Sequence, residues 1–236
     1  MSKRLTLKYL PFAWSGLVLT VIVFAILGSI VRGDPCLLLK KWGISVDVFA
    51  MTMHEIGLLL GLVVTIHLLS KRGVKISDLG MKGGLKATWI AYAVAGFVVA
   101  MLLYPAIEAI TRVVGIGMFW WSEERFVYSS LMDWCLVIIV AVLLAPIVEE
   151  LFFRGYLLTA FLERIGSVPL AICISSLVFA SIHALIGPGA MIFIFLWSLI
   201  PSYLYLRTGS LYPAILMHAL NNIFAYMIIP ALLQPY

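Results

Sequence analysis

Seven apolar runs, parted by short charged or glycine-bearing breaks, occupy 11–31, 48–69, 87–110, 131–163, 168–186, 190–206 and 211–230. Most approach the roughly 20 residues that carry a helix across a lipid core. In lipid every backbone N–H and C=O needs an internal partner, so runs of this length predict helices rather than open strands. The expected fold class is therefore all-α, a polytopic transmembrane helical bundle. The fourth run stands apart, because at 1.5 Å per residue it would reach about 50 Å. Pro146 lies inside it, so a kink, a steep tilt or a break into two shorter helices is expected. Seven spans follow if the run is single and eight if it divides.

Composition agrees: 64% of residues are hydrophobic and 11% charged. The chain reads as one integral-membrane domain, 1–236, with no room for a separate soluble one. Its net charge of +5 comes from short loops. No basic cluster is interleaved with stacking aromatics, so no nucleic-acid partner is expected. With seven spans and the N-terminus cytoplasmic, the inner side receives Lys3, Arg4, Lys8, Lys71, Arg72, Lys75, Lys82, Lys86, Arg164 and Arg207. The outer side receives Arg32, Lys40, Lys41, Arg112 and Arg125. Ten against five favours that orientation in the cell membrane; eight spans would nearly erase the bias. The first run exceeds a signal-peptide core and reads as a retained span. Cys36, Cys135 and Cys173 support neither a disulfide framework nor a cysteine-rich zinc site, and the ending "LLQPY" is no prenylation signal.

Two loops carry membrane-surface signals. "SKRGVKISDLGMKGGLK" (70–86) reads as interfacial, with Val74, Ile76 and Leu79 turned inward. "GMFWWSEERFVY" (117–128) sets Trp120, Trp121 and Tyr128 where an aromatic belt belongs; a role in gating substrate is the alternative for both. In the second span His54 and Glu55 fall near the outer end and read as solvated, with substrate contact as the alternative. Glu108 reads as interfacial.

Few polar residues remain deep in the second half, and helical spacing sorts them. Glu150 and Arg154 are four apart, acid before base, an orientation that favours an intrahelical pair. Glu149, about 100° round the helix, is left without a partner there. Phe179 and His183 repeat the spacing in "FASIH", so a ring can support the imidazole, and His218 and Asn222 repeat it in "HALNN". Asn221 is not excluded by spacing. Counted from the inner ends, Glu149, His183 and Asn222 lie at about 21, 22 and 18 Å, with His218 at about 12 Å. Three helices thus bring an acid, an imidazole and an amide to one depth.

"EELFFR", "FASIH" and "HALNN" match EExxxR, FxxxH and HxxxN, in that order on successive apolar segments. This resembles the CPBP family (CAAX protease and bacteriocin-processing), intramembrane glutamic endopeptidases that include the CAAX prenyl protease 2 type. The resemblance covers a catalytic core of about 130–230. It implies that Glu149 and His183 activate water and that His218 and Asn222, the asparagine its motif selects, stabilise the oxyanion. It also implies that Glu150 and Arg154, with the Phe179 ring, orient the site. A carboxylate that takes a proton from water, and imidazole and amide N–H groups facing an oxyanion, suit peptide hydrolysis. The partners expected are the lipid bilayer and a protein or peptide substrate at the membrane; nothing addresses oligomeric state.

Three other readings stay open. His183, His218 and a glutamate are ligands zinc accepts, although HExxH is absent and "HEIGL" at His54 lacks the second histidine; no cofactor or metal is the expectation. Membrane Glu, Arg and His also serve proton-coupled transporters, but no inverted repeat is evident. A catalytically silent scaffold or immunity protein is the third. If the orientation holds, the site lies in the outer half of the bilayer and suits an exported peptide or a C-terminal sorting signal better than a cytoplasmic lipidated tail.

Overall fold

A computed structural model describes residues 5–31, 35–84, 86–120, 128 and 130–233. Lys3, Arg4, Arg32, Trp121 and Arg125, which entered the charge and belt expectations, lie outside them. All regular structure among the described residues is helical. A 3-10 stretch, Leu7–Trp14, leads into α1 (Ser15–Val31). There follow α2 (Pro35–Lys41), α3 (Val46–Ser70), α4 (Ala87–Val113), α5 (Leu131–Ile165), α6 (Val168–Ser181), α7 (Pro188–Thr208) and α8 (Tyr212–Leu232). Six helical stretches are long and apolar enough to cross a membrane, and α6 is a shorter apolar helix of 14 residues. The chain is a multi-pass helical membrane protein.

α5 does not divide at Pro146. It runs for 35 residues, and two wider π-helical stretches, Val137–Leu144 and Leu151–Leu158, flank the segment that holds Pro146 and both glutamates. The first explains how a proline sits mid-helix. Proline lacks an N–H and crowds the carbonyl one turn back. Here the Ala145 N–H already bonds the Val140 carbonyl, five residues back, so the turn is widened where the ring arrives.

Small residues let the helices approach. α3 carries "GLLLG", and a Cβ at Gly57 would stand 2.6 Å from the Ser15 carbonyl oxygen, one at Gly61 2.5 Å from Ser15 Oγ. The Ser15 hydroxyl donates to the Gly57 carbonyl at 2.7 Å. This is the small-xxx-small packing of membrane helices, with α1 seated on α3. On another face of α3, Val48, Glu55, Leu62 and Leu69 are buried at seven-residue spacing, and α3 packs against α5.

The loops meet in two groups. At one end Leu5 N donates to Glu163 (2.6 Å), the Tyr156 hydroxyl to the Thr6 carbonyl (2.6 Å), Leu211 N to the Gly80 carbonyl (3.0 Å) and Ser210 Oγ to the Lys82 carbonyl (3.0 Å). At the other, Ser45 N donates to Asp133 (2.9 Å), the Ser130 hydroxyl bonds the Gly43 carbonyl, Trp120 Nε1 donates to the Ala184 carbonyl (2.8 Å) and the Tyr128 hydroxyl to the Tyr226 carbonyl (2.7 Å). Val74 and Leu79 of the 70–86 loop are buried in the protein, while Ile76 is exposed. Gly155 lets Leu79 lie directly on α5, because a Cβ there would meet the Leu79 carbonyl oxygen at 2.5 Å. Glu108 pairs with Arg112 at 2.7 Å on the surface of α4.

Candidate active site

The site is built on the middle of α5, where Glu149 and Glu150 close the segment that Pro146 opens. Glu150 and Arg154, both wholly buried, form the intrahelical pair that their spacing predicts, at 2.8 Å. Arg154 also reaches α7. Nη2 reaches Ser198 Oγ (2.7 Å) and the Ser198 carbonyl (3.2 Å), and Nε reaches Ser202 Oγ (3.4 Å). Ser198 and Ser202 are one turn apart on α7, and Ser198 passes its own proton to Ser176 of α6 (3.1 Å). The guanidinium further lies 4.5 Å from the Phe179 ring centroid and 5.8 Å from that of Trp197, a stacking contact that suits a desolvated cation.

Glu150 does more than neutralise Arg154. The same oxygen, Oε1, is 2.8 Å from His218 Nδ1, so one carboxylate ties α5 to α8 and orients the His218 ring. That ring packs edge-on against Trp197 at 4.8 Å and Phe179 at 6.3 Å. Its other nitrogen, Nε2, is then 3.8 Å from Glu149 Oε2, an atom that is buried and has no hydrogen-bond partner.

His183 takes a different place from the one its segment suggests. α6 stops at Ser181, two residues before it, and His183 lies in the turn 182–186. The Phe179 carbonyl, freed where the helix ends, bonds His183 Nδ1 at 3.0 Å, and the two rings are 4.9 Å apart. That leaves Nε2 free of this bond. No ion-pair contact joins His183 to Glu149; the imidazole within that reach is His218's. Trp120 pins the same turn, its backbone N–H donating to the Ile186 carbonyl at 3.1 Å.

Asn222 is buried and donates from Nδ2 to the Ala141 carbonyl at 2.8 Å. The first π stretch creates that acceptor. With the Ala145 N–H taken by Val140, the next donor along would be residue 146, a proline with no N–H. An orphaned carbonyl in lipid needs a partner, and the amide from α8 supplies it. Asn221, half-buried, reaches only its neighbour's Oδ1 at 3.4 Å. The second π stretch is used in the same way, since its Phe153 carbonyl accepts from Ser175 of α6 at 3.0 Å.

Two side chains that sequence reasoning left outside the site belong in its surroundings. Glu55 is 2% exposed, not solvated, and its carboxyl lies in side-chain contact with that of Glu149. The His54 ring is 6.3 Å from that of His183, and His54 Nε2 is buried without a partner. The signal for Glu55 was its register with Val48, Leu62 and Leu69 on α3, and distance from the helix end was the wrong guide. Ser198 and Ser202 gave a weaker one, two hydroxyls four apart in an apolar helix. Among the described residues no three His, Cys, Asp or Glu side chains are grouped so as to hold a metal ion.

Compared with known proteins, residues 131–224 match a family model described as type II CAAX prenyl endopeptidase, Rce1-like. The match starts at α5 and takes in EELFFR, FASIH and HALNN; α1 to α4 lie before it. No curated protein and no solved structure matches the chain. Residues 131–224, which carry the three motifs on α5, in the turn after α6 and on α8, are thus similar to the type II CAAX prenyl endopeptidases.

Proposed function

We propose that the protein is an intramembrane endopeptidase that hydrolyses a peptide bond by glutamate-activated water. A membrane-embedded peptidase is what the family match supports, and the roles below rest on the site's geometry and chemistry. The observation that carries the proposal is Glu149 Oε2: a buried carboxylate oxygen without a partner, on an acid that Arg154 does not bond, beside a glutamate whose Oε1 is held by both Arg154 and His218 while its Oε2 is unpaired too. The second acid of the pair is committed to structure, and the first is left for chemistry.

In this mechanism Glu149 takes the proton of a water poised to attack the scissile carbonyl. His183 shares that water through Nε2, since Nδ1 is held by the Phe179 carbonyl, and passes the proton that Glu149 took from the water on to the departing amine. His218 and Asn222 donate to the tetrahedral oxyanion. His218 does so from a protonated Nε2 while Nδ1 stays on Glu150, and Asn222 uses the amide hydrogen not spent on Ala141. Donors of this kind are worth most in a site that excludes water, and losing one costs about 10²–10³ in rate. The substrate proposed is a membrane-associated or exported protein or peptide. The prenylated tail named in the family description is the other candidate.

The test needs no guessed substrate. Wild type and Glu149→Ala are compared in the native host at equal protein level, with protein termini of membrane and secreted fractions mapped by mass spectrometry. Specific termini vanish in the variant if the proposal is right, and they name the substrates. An unchanged set of termini would overturn it and bring a binding or proton-transport role forward.

A further inference from the structure

The family match and the three motifs describe α5 to α8, yet an acid in contact with the proposed general base comes from α3. Glu55 sits on the face of α3 that carries Val48, Leu62 and Leu69, is 2% exposed, and meets the Glu149 carboxyl side chain to side chain. An ionised carboxylate only accepts hydrogen bonds, so two carboxyl groups in contact need one proton between them. The neighbouring cation does not remove that need. Arg154 is engaged by Glu150, Ser198 and Ser202, and His218, engaged by Glu150 through Nδ1, faces only Glu149 Oε2 with its Nε2, at 3.8 Å. Glu55 Oε1, for its part, has no hydrogen-bond partner, and a buried polar atom left unpaired costs stability. Such a group is hard to explain as a structural element and easy to explain as a functional one.

We propose that Glu55 is a positioning residue for the general base. Its carboxyl holds a proton against Glu149 and fixes the Glu149 carboxylate so that Oε2 stays open to water. The inference rests on the endopeptidase mechanism above. No bond to Glu55 forms or breaks: the proton taken from water goes to Glu149 and leaves with the amine through His183, while the Glu55 proton stays in place. The first half of the chain, outside the family match, thus takes part in the chemistry through one side chain.

The test compares Glu55→Gln and Glu55→Met in the full-length protein in its host, reading the termini that Glu149→Ala removes, together with the thermal midpoint of each purified variant in detergent. Glutamine keeps a donor at the same reach and retains processing within about threefold. Methionine keeps the volume but no donor, so processing falls about 10–100-fold, the scale expected when a catalytic group loses its alignment. Its midpoint holds or rises, because the unpaired oxygen is gone. The proposal is overturned if Glu55→Met processes like wild type, if glutamine is as damaging as methionine, or if the methionine midpoint falls in step with activity. Termini that persist in Glu149→Ala would instead remove the endopeptidase mechanism, and this role with it.

Discussion

At the scale of single residues, two adjacent glutamates have opposite fates. Glu150 Oε1 accepts from both Arg154 and His218, whereas Glu149 has no bond to Arg154, and the Oε2 atoms of both acids are unpaired. Helix geometry forces the split, since neighbours on a helix point about 100° apart and only one can meet Arg154 four residues on. This part was legible in the sequence, because spacing alone separates the paired acid from the free one. Legibility stopped where a partner came from another helix, as with Ser198, Ser202 and Glu55. A prediction follows for the ion pair. Arg154→Met strands Glu150 in the protein interior and costs about 3–5 kcal/mol, while Glu150→Met with Arg154→Met recovers most of that loss. Unfolding of both variants in detergent micelles checks it, and a double variant no more stable than the single would show that charge neutrality is not what the pair supplies. Processing stays lost in the double variant, because His218 loses its Glu150 acceptor there.

At the scale of the helix, Pro146 announced a disturbance in α5 and left its form open. A kink, a steep tilt and a break were the alternatives, and the helix does not break; it widens the turn before the proline. The reason lies outside α5, in a partner for the carbonyl that widening orphans. Ala141 finds Asn222, so the backbone irregularity and the site residue support one another. No local pattern contains that information, since Ala141 and Asn222 are 81 residues apart. The coupling is measurable. Asn222→Ala leaves the Ala141 carbonyl unpaired in the interior and costs about 1–3 kcal/mol of stability. Pro146→Ala restores an N–H that can reach that carbonyl, so the same asparagine substitution costs less in the Pro146→Ala background, by about 0.5 kcal/mol or more. A double-mutant cycle of unfolding free energies gives the answer, and strictly additive effects would sink the account.

At the scale of the whole molecule, sidedness decides what the proposed site meets. Each break between apolar runs joins one of two groups of loops. Residues 5–9, 74–82, 163 and 210–211 interlock at one end, and 43–45, 117–120, 128–133, 184–190 and 226 at the other. Successive breaks alternate between the groups, the order that seven passes would give if α6 completed its pass through the turn that holds His183. A break of α5 into two passes would bring 163 to the end where 130 lies, and the contacts of Glu163 with Leu5 and of Tyr156 with Thr6 argue against it. The basic residues favour the first group as cytoplasmic. Glycines on both sides offer probes, because a Cβ at Gly84, Gly115 or Gly166 meets nothing among the described residues, the positive φ of Gly115 and Gly166 adding about 1–2 kcal/mol of strain. In a protein freed of Cys36, Cys135 and Cys173, a membrane-impermeant maleimide labels Gly115→Cys in intact cells. Gly84→Cys and Gly166→Cys label only after the membrane is opened. Labelling of Gly84→Cys and Gly166→Cys from opposite faces would restore the eight-pass alternative. Labelling of both from outside would invert the orientation and point the search for substrates toward lipidated tails in the cytoplasm.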